Sequence, residues 1–222
     1  MSEAKRDGWI AALIGRKPHD PALFRQALTH GSAGAQHYER LEFLGDRVLG
    51  LVIAAMLYRA YPAEPEGKLS SRFNALVSGQ TCANVARENG VAANLVLGKQ
   101  ARDDGAVDSD NVLGDVMEAL IGALFLDGGM NEAEALVQRL WGERIKTQDS
   151  APKHPKSALQ EWAAAHRRKP PEYELVSKSG PQHNLRFTVK VSINNVGEAS
   201  AEGNSKQEAE RLAAAALLET LK

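Results

Sequence analysis

YERLEFLGDRVLGLVIAAMLYRA, residues 38–60, is the stretch that decides the architecture. At about 100° per residue, Leu41, Leu44, Val48 and Val52 fall on one stripe, the core face of a long helix. Glu39, Glu42 and Asp46 fall together on a second, narrow stripe to one side of it. Glu42 and Asp46 are i, i+4 neighbours, and as like charges they cost the helix roughly 0.2–0.5 kcal/mol. A solvated acidic edge paired with Arg40 or Arg47 is the simplest account, yet both arginines project from a different side of the helix. Phe43 projects nearly opposite the core stripe. There it is either a harmless exposed residue or an interface anchor.

The surrounding sequence continues in the same period. From Asp7 to about Lys146, segments near 7–15, 20–29, 38–60, 67–89, 109–127 and 131–146 carry apolar residues three and four apart. Turn residues separate them, as in YPAEPEG (61–67), ENG (88–90) and LDGG (126–129). Asp20 followed by Pro21 reads as an N-cap and first-turn pair. In NVLGDVMEALIGALFLDGG (111–129), Asp115 and Glu118 stand i, i+3 on a helix that is apolar nearly all round. Such a helix is buried, and an unpaired carboxylate on it costs several kcal/mol (order of magnitude). The segment supplies no Lys or Arg to offset that. Two carboxylates from each of two packed helices make an oxygen-ligand cage for Mg²⁺ or Mn²⁺. No histidine is spaced to join them, which argues against zinc or a di-iron centre.

Bulk properties set the frame. The 222 residues are 43% hydrophobic and 25% charged, the profile of a soluble globular chain. A single cysteine, Cys82, excludes an internal disulfide framework and suits a reducing compartment. The N-terminus has no convincing signal peptide. The best apolar run, VLGLVIAAMLY (48–58), is far short of the roughly 20 residues that span a bilayer. A cytoplasmic, membrane-free protein is expected. Residues 1–150 carry a net charge of −4 and residues 151–222 a net of +3, so the tail is the half suited to an anionic partner.

The period changes after TQDSAPKHPK (147–156), a polar, proline-bearing stretch read as a linker. A short helix (156–167) precedes three strand-like runs, YELVSKSG, LRFTVKVSI and NVGEASAEG, and SKQEAERLAAAALLETL forms a final helix. The expected fold is an all-α domain over 1–146, a linker over 147–154, and an α+β domain of order α-β-β-β-α over 155–222.

ERLEFLGD (39–46) closely resembles the signature of ribonuclease III, the double-stranded-RNA endonucleases, and GDVMEALIGALFLDGG (114–129) resembles that family's second catalytic segment. By that resemblance Glu42, Asp46, Asp115 and Glu118 are the metal-binding acids, with Asp46 and Glu118 catalytic. Glu39 and Glu66 are supporting acids of the cleft. The implied cofactor is Mg²⁺, with Mn²⁺ able to substitute and no small-molecule cofactor. The family's proteins are two-fold dimers in which the residue matching Phe43 plugs a socket on the partner. KSALQEWAAAH, GPQHNLRFTV and GNSKQEAERLAAAALL resemble the three contact regions of a double-stranded-RNA-binding domain. Gln160 and His183 would then reach successive minor grooves and Lys206 the phosphates between them. The implied activity is hydrolysis of both RNA strands to 5′-phosphate and 3′-hydroxyl ends, in maturation of ribosomal-RNA precursors and processing of other structured transcripts.

The chain departs from the family pattern in places. Gln207 stands where a second basic residue is common, and Tyr38 where asparagine is common. Residues 103–111 are acidic where many relatives are basic, and the arginines of 69–77 are rearranged, leaving Arg72 and Lys68 as phosphate contacts. The competing reading is a double-stranded-RNA-binding regulator that keeps the fold without cutting. Against it, a binder gains nothing from six acids set beside a polyanion. A helical phosphohydrolase of small molecules is a further alternative, but the histidine-aspartate pairs of such enzymes are missing.

Overall fold

The computed structural model describes residues 3–147, 155–180 and 185–221. It divides into two compact units, Met1–Pro152 and Lys153–Lys222. Among the described residues the first unit is helical. It holds α1 (Glu3–Ile14), α2 (Pro21–Ala27), α3 (Glu39–Ala60), α4 (Glu66–Leu76), α5 (Gly79–Glu88), α6 (Lys99–Asp103), α7 (Asp110–Gly128) and α8 (Met130–Lys146). Among the described residues of this unit, strand pairing is limited to an isolated parallel bridge between Thr29 and Val96.

Three helix starts, those of α2, α5 and the last helix of the chain, are capped by side chains that satisfy orphan N–H groups. Asp20 caps α2, accepting from Ala22 N at 2.9 Å, with Pro21 in the first turn. The segment read as continuous over 67–89 is two helices. Ser78 leaves the helical region and its Oγ accepts from Thr81 N at 3.3 Å, so the chain turns and restarts at Gly79. Apolar spacing persists through that break, which is why periodicity alone did not reveal it. The short α6 and two 3₁₀ turns, Ala92–Asn94 and Ala106–Asp108, were not anticipated either.

Helix α7 is the centre of this unit. Leu113, Val116, Met117, Leu120, Ile121 and Leu124 are all buried, as its near-uniform apolarity requires. The α3 stripe packs on it with Leu41, Val48 and Val52 inside, while Leu44 is only partly covered. Trp141 of α8 is fully buried and donates its indole N–H to the Leu76 carbonyl at 2.9 Å. No helix among the described residues is long and apolar enough to cross a membrane.

The second unit holds α9 (Pro155–Ala165), β1 (Glu172–Ser179), β2 (Arg186–Ile193), β3 (Gly197–Gly203) and α10 (Lys206–Thr220). Its sheet is antiparallel in the order β1-β2-β3, with Tyr173 opposite Val191 and Val191 opposite Ala199. Leu159, Ala163, Val191, Ile193, Ala213, Ala214 and Leu217 form its core, helices on sheet. Ser205 caps α10, its Oγ accepting from Glu208 N at 3.1 Å, and Glu208 Oε2 reaches back to accept from Asn204 N, one residue before the cap, at 2.7 Å.

Candidate active site

The acids of ERLEFLGD and of the second segment meet because α3 and α7 touch backbone to backbone. A β-carbon on Gly45 would overlap the Glu118 carbonyl, and one on Gly122 would overlap the Leu41 carbonyl. Only glycine fits at either position. The crossing puts Gly45, flanked by Glu42 and Asp46, directly over the turn of α7 that bears Glu118.

Glu42, Asp115 and Glu118 form an interacting group. Burial pushes the Glu118 carboxyl up to about 7, and Asp115 and Glu42 push the same way, against the opposing pull of Cys82 and Arg47. Glu42 is raised by burial, then by Asp115 and Glu39, with Arg47 opposing. Asp115 is raised chiefly by burial and also by Glu39, while a hydrogen bond from Tyr38 and the nearby His30 pull the other way. A group of carboxylates that raise one another holds its charge at a cost, and a divalent cation would offset it. The donors are all oxygen, which suits a hard cation such as Mg²⁺ or Mn²⁺.

Asp46 pairs with Arg47, whose charge also acts on Glu42 and Glu118. That pairing is contrary to the expectation that Arg47 projects too far round the helix. The long arginine side chain reaches back across its own turn and also lies over the Phe43 ring, 5.2 Å from its centroid. Among the described residues, no group of three or more His, Cys, Asp or Glu side chains is spaced to hold a metal ion as it stands. Glu39 is exposed, with His37 Nδ1 3.7 Å from its Oε1. Glu66 opens α4, where it accepts from Ser70 Oγ at 2.6 Å.

Phe43 is 64% exposed. It lines a cleft of about 790 Å³ with Leu23, Leu41, Leu44 and Leu126, rimmed by the polar Gln26, Glu39 and Arg40. Leu51 and Tyr58 are also exposed on α3.

Arg72 is not a surface cation. It is 2% exposed, forms a two-pronged pair with Glu64 at 2.8 Å on each prong, and lies 3.8 Å from the centroid of the Tyr61 ring. A guanidinium so enclosed ties α4 to the end of α3 and has no reach to a phosphate. Lys68 is exposed.

In the second unit Gln160 is exposed on α9, and Lys206 stands in the first turn of α10. Glu210 joins the two helices, 2.5 Å from Lys156 Nζ and 3.9 Å from Lys206 Nζ. His183 and most of the linker lie outside the described residues. Two residues at the acid group escaped the sequence reading, Tyr38 and Cys82, and a third, Arg47, was set aside there as pointing elsewhere. Tyr38 carried a signal as a departure from the usual asparagine; a buried cysteine carried none.

A helical unit with paired acids on crossed helices, followed by an α-β-β-β-α unit, defines a nuclease domain joined to an RNA-binding one. Residues 20–144 match the ribonuclease-III-like family and residues 155–221 the double-stranded RNA binding motif. Ribonuclease 3 of Zymomonas mobilis is 64% identical over 213 residues, covering 96% of this chain and 87% of the relative. That of Ruegeria pomeroyi is 46% identical, covering 95% of each. The solved nuclease domain of ribonuclease III from Campylobacter jejuni superposes with a TM-score of 0.60 at 30% identity, over 65% of this chain and 97% of that one. A second structure of that domain, described for flexibility in a region involved in dimer formation, gives 0.59 at 31% identity over 61% and 95%. The chain belongs to the ribonuclease III family of enzymes.

Proposed function

We propose that the chain hydrolyses both strands of double-stranded RNA with Mg²⁺, leaving 5′-phosphate and 3′-hydroxyl ends. The observation that carries this is the group of Glu42, Asp115 and Glu118, gathered by the glycine crossing and each raised above its ordinary value. These three hold the cation, and Asp46 completes the set on leaving Arg47. The bound cation supplies a water acidified toward neutral pH and offsets charge on the phosphate. Asp46 and Glu118 stand closest to the chemistry, and Glu39 and Glu66 line the cleft. Mn²⁺ fits the same donors.

Gln160, His183 and Lys206 bind the duplex across successive grooves, which orients it without reading its sequence. Lys206 meets phosphate in competition with Glu210. The enzyme works as a homodimer, the Phe43 ring of each protomer entering the leucine-lined cleft of the other, so that each strand meets one acid group. Ribosomal-RNA precursors and other structured transcripts in the cytoplasm are its substrates.

End-labelled double-stranded RNA incubated with and without Mg²⁺ tests this. Glu118→Gln is expected to bind the RNA normally and to leave it uncut. Cleavage by that variant at a near-normal rate would overturn the assignment.

A further inference from the structure

Of the acids on α7, Asp115 and Glu118 each lie against one side chain that carries no charge. The Tyr38 hydroxyl donates to Asp115 Oδ2 at 3.3 Å, the long end of the range for such a bond. The Cys82 thiol is a near neighbour of the Glu118 carboxylate, which pushes the thiol up while the thiol draws the carboxyl down. The hydrogen bond of that thiol runs to the Val77 carbonyl at 4.0 Å, a long contact, and the carboxylate beside it is the stronger acceptor. Tyr38 is 6% exposed and Cys82 is fully buried, so neither is a surface residue that happens to lie nearby.

Both donors are fixed from behind. The Tyr38 N–H donates to the Thr29 carbonyl at 3.0 Å, and its carbonyl accepts from Leu41 and Glu42 at 2.8 and 2.9 Å. The phenol is thereby tied to the turn of α3 that bears Glu42. Its ring leans on the His30 imidazole, centroids 5.8 Å apart, and His30 Nδ1 is held 2.8 Å from Ser32 Oγ. Cys82 is placed by a second glycine contact. A β-carbon on Gly114 of α7 would stand 3.0 Å from the Gly79 carbonyl at the start of α5. About one turn further along each helix come Cys82 and Glu118.

A neutral donor does what an arginine or lysine would not. It fixes the direction of a carboxylate while leaving its full negative charge for another ligand. A guanidinium in the same place would neutralise the acid and compete with a divalent cation for the same oxygens. The contrast with Arg47, which occupies Asp46, is on the same helix pair.

We infer that Tyr38 and Cys82 are positioning residues: their uncharged O–H and S–H groups orient Asp115 and Glu118 for a divalent cation without compensating their charge. This rests on the assignment of those acids as cation ligands. The two donors touch neither RNA nor the reacting atoms; they act only through the acids.

Titration of the RNA-free, full-length protein with Mn²⁺, followed by calorimetry, tests the inference. Tyr38→Phe removes one hydroxyl and keeps the ring on His30. Cys82→Ala removes the thiol, and Cys82→Ser restores a donor of similar size. Removing outer partners of metal ligands lowers affinity by about 10-fold or more. Tyr38→Phe and Cys82→Ala are each expected to raise the Kd for Mn²⁺ by about that factor, and Cys82→Ser to recover most of it. In cleavage, the Mg²⁺ concentration for half-maximal rate should rise while KM for RNA stays put. Wild-type affinity in both Tyr38→Phe and Cys82→Ala would overturn the positioning role and leave the ligand assignment standing. Losses matched by a lower unfolding midpoint in EDTA, with no recovery in Cys82→Ser, would also overturn it, marking both as packing residues. If wild type and Glu118→Gln bind Mn²⁺ alike, it is the ligand assignment that fails.

Discussion

Helix α7 carries carboxylates at both ends, and the chain treats them in opposite ways. Asp127, near the C-terminal end, accepts from the backbone N–H groups of His19 at 3.1 Å and Asp20 at 2.6 Å, and pairs with Arg16 at 2.7 Å. Burial alone would raise its pKa, but these partners hold it below its ordinary value. Asp115 and Glu118 are half-buried, and they remain raised, because burial and the neighbouring carboxylates outweigh the phenol, the thiol and the more distant pull of His30 and Arg47. The difference separates an acid that holds the fold from acids that the fold holds for a ligand. Arg16 also pairs with Glu132 at 2.6 Å, so the Asp127 end is a closed network fastening the loop before α2 to the α7–α8 junction.

The comparison breaks most completely at Gly45. A methyl group there overlaps the Glu118 carbonyl, so α3 and α7 must part. Gly45→Ala is expected to cost about 3 kcal/mol or more, read as a lower urea midpoint without metal. An unchanged midpoint would show that the helices do not touch where the acids meet.

Asp127→Asn and Glu118→Gln sharpen the contrast. Loss of the Asp127 charge leaves Arg16 and two N–H groups short of their acceptor and should cost about 2 kcal/mol. Loss of the Glu118 charge, in metal-free protein at pH 8, should cost nothing or raise the unfolding midpoint. Destabilisation of similar size in both would erase the distinction.

A smaller effect is the pH dependence. Folded Glu118 keeps its proton up to about 7, whereas the unfolded chain releases it near the ordinary 4.5. Between those values the folded state binds more protons, so this acid's contribution to stability is full below about 4.5 and is lost as pH rises through about 7. Asp127 runs the other way: its contribution is present above the ordinary 3.8 and is lost as pH falls through its lowered value. Metal-free protein should therefore lose stability from pH 5 to pH 7.5, and Glu118→Gln should flatten part of that fall. A profile identical in the two proteins would contradict the raised carboxyl.

Much of this was legible in the sequence, for a physical reason. Apolar spacing reports which face of a helix is buried, so α3, α7 and the α-β-β-β-α order stand out, and acids on an apolar helix stand out against them. What did not show is set by partners distant in the chain. The need for glycine at 45 and 122 exists only once α3 lies on α7. Arg72 reads as a surface cation until Glu64 and Tyr61 close on it. Ser78 stops a helix whose apolar spacing continues across the break. Tyr38 and Cys82 carry no charge to draw notice, and their roles depend on which carboxylates fold against them.

The most direct measurement is the thermal midpoint at pH 8 with and without Mn²⁺, in wild type, Glu118→Gln and Asp127→Asn. A cation that binds only the folded state raises the midpoint in proportion to its occupancy. Wild type and Asp127→Asn should both rise on adding Mn²⁺, Asp127→Asn from a lower start, and Glu118→Gln should not move. A wild-type midpoint indifferent to Mn²⁺, or a Glu118→Gln midpoint that rises as far as wild type, would contradict the claim that α7 holds its acids for a divalent cation.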